Sequence, residues 1–324
     1  MKFSSFLKNL RSDFNLSQRQ MVLKLAVSHE QFSDLTVVTY SRWERSVSLP
    51  PLIKMLYVAR IFSVDTFEFL MTIEFKESKN QTLAFANFLS HYYHISNHYR
   101  LLSTKLYDED YFCNEEIHGV EPDLIFRKAK IYWDAILKQE FEPNDNIKSN
   151  IIEDLQNNGL LYISSCIEPK SNEILAQGIF TLQSMSEEKK LLHKFNNRTL
   201  ELHEINKVVD NNDKFIFIPI IAFQSTRWLN FNLYKVIEIF TKVKNIKKIY
   251  LVTSQIKAYS KLRYLGFNIV STIKSEVEDE VFNDCVKSEI TTHLISCDFD
   301  EFICNHGLVN LIKGYREKLS KLSK

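Results

Sequence analysis

The sequence predicts an all-α unit followed by a mixed α/β unit built on a central sheet. Three observations predict it. Apolar residues recur with a helical period through residues 1–70 and leave no strand candidate there; the pattern changes to period two at Leu161–Ile167; and from Phe215 strand and helix signals alternate in the order β-α-β-α-β. A length of 324 residues suits two domains. We place them at 1–70 and 98–324, joined by a helical linker over 71–97.

In the front unit, Phe3, Phe6 and Leu10 fall on one helical face, and Met21, Val22 and Leu25 on another. Between them Leu16-Ser17-Gln18 marks a helix start with Ser17 as N-cap. Pro50-Pro51 interrupts, after which Leu52, Met55, Leu56, Ala59 and Phe62 trace a further amphipathic helix. The aromatic stretch LAFANFLSHYYHISNHYRLL then bridges to the second unit, where LIFRKAKIYWDAILKQEF reads as an amphipathic helix closed by Pro143.

The strands follow. Leu161–Ile167 and Ile174–Leu182 flank the turn EPKSNE and make a hairpin, while FIFIPIIAF at 215–223 is a buried run whose proline calls for a bulge or an unpaired edge. Helix 229–243, strand 248–253, helix 256–265 and strand 267–273 complete the series. The acidic run Glu276 to Glu280 reads as a solvated loop, and LIKGYREKLSKLSK as a basic surface or dimer helix.

Composition narrows the function classes. An apolar fraction of 45% and a charged fraction of 25% belong to a globular chain. Net charge is +1, yet residues 1–60 carry nine Lys/Arg against four Asp/Glu, so the basic excess sits at the front. No apolar run reaches the roughly 18 residues of a membrane span, and MKFSSFLKNLRSDF breaks the apolar core of a signal peptide, so a cytoplasmic location is expected. Five cysteines without a C-x-x-C pair point to reduced thiols rather than zinc or disulfides. His91, His94 and His98 share a helical face but no carboxylate or thiol joins them, which favours packing over metal binding.

LSQRQMVLKL and TYSRWERSVSLP, in that order, resemble the second helix and the end of the third helix of the XRE family, the Cro and lambda-repressor type of helix-turn-helix. The resemblance implies double-stranded DNA as partner, bound by a homodimer on paired half-sites. It assigns Gln18 to a phosphate, turns Thr36, Val37, Val38, Ser41 and Arg42 to the major groove, and gives Arg45 a phosphate. Arg42 is the candidate for guanine, and Val37 or Val38 for a thymine methyl. Arg11 and Glu44 stand where the family has an ion pair between helices 1 and 3, with Trp43 in the core. HEQFSD lengthens the turn before the recognition helix, and Ser46 replaces the glycine usual at its end.

The back domain resembles the GNAT acetyltransferases in its hairpin, proline-containing strand, following helix and strand, and the LRYLGF ending. The resemblance implies a central, mostly antiparallel sheet, in which one strand splays from its neighbour and acetyl-CoA or another acyl-CoA enters the gap. Its phosphate loop, Gln/Arg-x-x-Gly-x-Gly/Ala, corresponds to Gln224-Ser225-Thr226-Arg227-Trp228-Leu229, without a glycine. The tyrosine acid falls on Leu262, with Tyr259 and Tyr264 out of register. No catalytic residue is therefore assigned. The expectation is a DNA-binding transcriptional regulator with a catalytically inactive, acyltransferase-like sensor or assembly domain. Gln224, Ser225, Thr226 and Arg227 are the groups placed to meet a small-molecule ligand, unless Trp228 plugs the cleft. The alternatives are a DNA-tethered N-acetyltransferase and a protein-interaction module without DNA binding.

Overall fold

The computed structural model describes residues 1–102, 154–167, 174–200, 212–223, 226–253, 256–279 and 286–322. In chain order the elements are α1 (Phe3–Asp13), α2 (Gln18–Ser28), a 3-10 turn (Glu30–Phe32), α3 (Val37–Glu44), α4 (Leu52–Ile61), α5 (Thr66–Thr72) and α6 (Lys79–Leu102). Then come β1 (Leu161–Ile167), β2 (Ile174–Ser184), α7 (Glu188–Asn197), β3 (Lys214–Phe223), α8 (Thr226–Phe240), β4 (Ile246–Thr253) and α9 (Ile256–Leu262). β5 (Asn268–Asp279), β6 (Val286–Asp298), α10 (Phe299–Ile303) and α11 (His306–Leu322) complete the chain. The helix expected in LIFRKAKIYWDAILKQEF lies outside the described residues.

The chain divides into two compact units: Met1–Leu83 with Tyr234–Val243 and Ile303–Lys324, and Ala84–Leu233 with Lys244–Phe302. In the first, α1 buries Phe3, Phe6, Leu7 and Leu10, spaced to form one stripe, with the Phe3 ring against Trp43 of α3 and the Phe6 ring against Phe69 of α5. Helix α11 belongs to this unit. Asn305 caps it through Oδ1, which accepts from the amides of Gly307 (3.0 Å) and Leu308 (3.2 Å). Leu308, Val309 and Ile312 are buried, and Arg316 pairs with Glu68 of α5 at 2.9 Å. His306 Nδ1 accepts from the Ser78 amide at 2.7 Å.

Helix ends here are made without glycine. Asn15, Ser46 and Ser63 all take positive φ (49°, 58° and 55°) directly after α1, α3 and α4. At each, the next amide reaches back to a carbonyl five residues earlier: Leu16 to Arg11, Val47 to Arg42, Val64 to Ala59, each 2.9 Å. Ser46, the residue in place of the expected glycine, also donates its hydroxyl to Ser4 Oγ at 2.7 Å.

The second unit is mixed α/β around a six-stranded sheet in the order β1-β2-β3-β4-β6-β5. Among the described strand pairs only β3 and β4 run parallel. Helix α8 makes the crossover between these two strands, and the remaining pairs are antiparallel. On one face Leu161, Ile163, Ile179, Phe215, Phe217, Tyr250, Val252 and Leu294 form a core with Leu191 and Phe195 of α7, and the residues alternating with them, such as Phe180, Ile216, Ile249 and Ile295, are buried as well.

Two expectations change. The strand expected to stop at Ile273 continues to Asp279, so Glu276–Asp279 is paired strand rather than loop, with Glu276 opposite Glu289 and Glu278 opposite Lys287. Its partner, β6, has no counterpart in the sequence reading, and it supplies the strand between β4 and β5.

Candidate nucleic-acid interface and ligand cleft

The arrangement of α1, α2 and α3 is fixed by one buried carboxylate. Glu44, 3% exposed, accepts Arg11 Nε at Oε1 (2.8 Å) and Gln18 Nε2 at Oε2 (2.7 Å). These bonds join the last turn of α3 to the last turn of α1 and the first residue of α2. The hydrogen bond and the charge of Glu44 hold the Arg11 guanidinium above its ordinary pKa. This is the ion pair that the helix-turn-helix resemblance places between Arg11 and Glu44, and Trp43 beside it is buried.

Helix α2 begins at a reciprocal cap: Gln20 N donates to Ser17 Oγ (3.3 Å), and Ser17 N donates to Gln20 Oε1 (2.8 Å). Gln18, expected at a phosphate, spends one of its two amide hydrogens on Glu44 and keeps the other. The HEQFSD insertion folds as the 3-10 turn Glu30–Phe32, anchored by buried Phe32 and by His29, whose Nδ1 accepts from Gln31 N at 3.2 Å. His29 also stacks on Tyr57, ring centroids 4.0 Å apart.

α3 separates cleanly into two sides. Tyr40, Trp43 and Glu44 are buried; Thr36, Val37, Val38, Arg42 and Arg45 are exposed, and Ser41 is half-buried. Positions 37, 38, 41, 42 and 45 lie on one helical face by spacing. Thr36 is the N-cap: its Oγ1 accepts from Thr39 N at 3.1 Å and shares a 3.0 Å hydrogen bond with Thr39 Oγ1. Arg45 folds back over the helix end, its Nε donating to Ser41 O at 3.3 Å. Val37, Val38, Ser41, Arg42 and Arg45 therefore share one side of α3, Thr36 serves as its N-cap, and the α2 start is tied to the same helix.

In the second unit the geometry centres on Pro219. Ile179 and Thr181 of β2 stand opposite Ile220 and Phe217 of β3, so two steps on β2 span three on β3, and the extra residue falls at Ile218–Pro219. The parallel pairing with β4 ends there, at Ile218 opposite Leu251. Beyond it β3 stays with β2 as far as Phe223, while β4 runs on to Thr253. Proline has no N–H to give a ladder, and a bulge turns the strand, so β3 and β4 part. The β3–β4 pairing stops at the proline-containing strand, where the acetyltransferase resemblance implies a splay.

Trp228 does not point across that gap. It is fully buried, and its Cη2 comes 3.4 Å from where a Cβ on Gly178 would stand, on β2, the neighbour of β3 away from the gap. Leu229 is buried beside it. Gln224 and Ser225 lie outside the described residues, and Thr226 and Arg227 open α8, their side chains likewise outside. At the far end of β4, Thr253 stands opposite His293 of β6. The His293 imidazole is 6% exposed; Nδ1 lies 2.9 Å from Thr272 Oγ1, and Nε2 has no partner among the described residues. Tyr259 packs near it, ring centroids 5.9 Å apart, and burial pulls the His293 pKa down.

Among the described residues no cluster of three or more His, Cys, Asp or Glu side chains is arranged to hold a metal. Cys297 and Cys304 are buried. No described helix is long and apolar enough to cross a membrane.

No protein-family model matches the chain, and no curated protein matches it. Solved structures of Arabidopsis thaliana NAA60 are similar to part of it. The complex with a bisubstrate analogue aligns over 55% of this chain and 95% of that one, at 11% identity and a TM-score of 0.32. The complex with acetyl-CoA covers the same shares at 12% identity and a TM-score of 0.31. Similarity this loose carries no argument about chemistry; the sheet order and the β3–β4 divergence rest on strand pairing alone.

Proposed function

We propose that the chain binds double-stranded DNA through α2 and α3 and acts as a sequence-specific regulator. One observation carries the reading: α3 offers Val37, Val38, Ser41, Arg42 and Arg45 on one accessible side while Glu44, on the other, locks it to α1 and α2. A helix so held enters a major groove as a rigid body, and Arg42 gives it a bidentate donor for guanine. Ser17, Gln18 and Arg45 supply groups for phosphates, and a pair of copies would double the contacts on a two-fold site. The test is fluorescence anisotropy of a labelled duplex with the full chain across a salt series. Affinity falling steeply with salt supports the reading; a missing or salt-indifferent complex refutes it.

A second role is favoured by the parting of β3 and β4. The β3–β4 pairing stops at Ile218–Leu251, which suits an extended ligand arm entering between the two strands, as in an acyl-CoA. The glycine-free loop into α8 does not suit a close backbone cradle for the pyrophosphate. We therefore assign this unit ligand sensing rather than acyl transfer. Calorimetry with acetyl-CoA tests it: saturable binding without turnover of primary amines agrees, and turnover would make the unit an enzyme.

A further inference from the structure

We infer that the start of α3 reads the 5-methyl group of a pyrimidine, so that thymine and 5-methylcytosine are equivalent ligands at the base pairs it faces and cytosine methylation changes which duplexes are bound. The inference rests on the DNA-binding reading and specifies its ligand. Val37 and Val38 are the first two residues of α3, 39% and 68% exposed, and their side chains neither donate nor accept hydrogen bonds. The two hydroxyls of that turn, on Thr36 and Thr39, are bound to each other and to the Thr39 amide, so they hold the cap together. Polar side chains free for base edges begin a turn later, at Ser41 and Arg42.

Exposed β-branched residues do nothing for the core here, and they are poorer helix formers than alanine. Their surroundings are cationic: Arg42 and Arg45 lie on the same face, which matches a polyanion rather than an apolar partner. Within the major groove the one apolar feature on a base edge is the methyl at pyrimidine C5. Thymine carries it, and cytosine acquires it on methylation. A pair of valines with no polar atom can distinguish bases there only through that group.

The experiment begins with a duplex selected by the full chain from a random pool. Each thymine is replaced in turn by deoxyuridine, which keeps every hydrogen-bonding group and loses only the methyl. At the positions under α3 the loss should be about fourfold per methyl, the value of burying one such group. A 5-methylcytosine–guanine pair at the same position should bind better than cytosine–guanine by a similar factor. Val38→Ala, a surface change that helix propensity favours, should shrink both differences. If the duplex binds but every deoxyuridine and 5-methylcytosine substitution is neutral, the inference fails while DNA binding stands. If no duplex binds in a salt-dependent way, the DNA reading fails and takes this inference with it.

Discussion

Replacing Glu44 by glutamine probes the joint on which the proposed interface depends. The carboxylate is 3% exposed and accepts from Arg11 at 2.8 Å and Gln18 at 2.7 Å. A glutamine of the same shape offers one acceptor and an NH2, so it must turn a donor toward either Arg11 or Gln18. Breaking a fully buried charged pair costs about 3–5 kcal/mol. Arg11 is 34% exposed, so water recovers part of the loss, and about 2–3 kcal/mol is expected. Hydrogen exchange read by mass spectrometry on the full chain localises the effect. Amides of α2 and α3 should exchange about 30- to 150-fold faster, and those of β2 and β3 should not change. Replacing Arg11 and Glu44 together by methionine should recover part of the protection, because no charge is then left unpaired. Unchanged exchange in α2 and α3 for Glu44→Gln would refute the argument.

Other outcomes follow from individual contacts. Gly178→Ala would place a Cβ 2.8 Å from Phe180 Cε2 and 3.4 Å from Trp228 Cη2. It should destabilise the α/β unit by about 1–3 kcal/mol in denaturant titrations, and an unshifted midpoint would mean that Trp228 does not pack on β2. Arg45→Ala should weaken all duplexes alike and lower the salt slope by about one phosphate contact, whereas a change in base preference would make it a base reader. Burial lowers the pKa of His293 in one unit and of His306 in the other. The unfolded chain then takes up protons first as pH falls, so stability present above about pH 6.5 should decline below it, toward the lowered folded values. Thermal melts between pH 5 and 8 check this, with His306→Gln removing part of the slope; a flat wild-type profile would contradict it.

The front of the molecule was legible because its signals are local or come in a fixed order. Ser17 caps α2, apolar spacing sets α1, and the Arg11–Glu44 pair followed from where the two residues stand in the resemblance. The ends of α1, α3 and α4 gave weaker signals, since Asn15, Ser46 and Ser63 adopt the left-handed turn that glycine usually marks. In the α/β unit Pro219 announced the bulge from sequence alone, because a missing N–H acts wherever it occurs. β6 was hidden by its buried polar residues: Thr292 and His293 break the apolar alternation that identifies a strand. α7 escaped for a related reason, with Leu191 and Phe195 its only buried side chains. The direction of Trp228 could not be read at all, because the space it fills is made by Gly178, fifty residues earlier on another strand.

Dimethyl sulfate footprinting of a selected duplex tests the central claim most directly, since the reagent methylates guanine N7 in the major groove, the atom Arg42 would cover. A guanine should be protected by the wild-type chain and become reactive again with Arg42→Ala. Protection that survives Arg42→Ala, or no major-groove protection in a saturated complex, would contradict it.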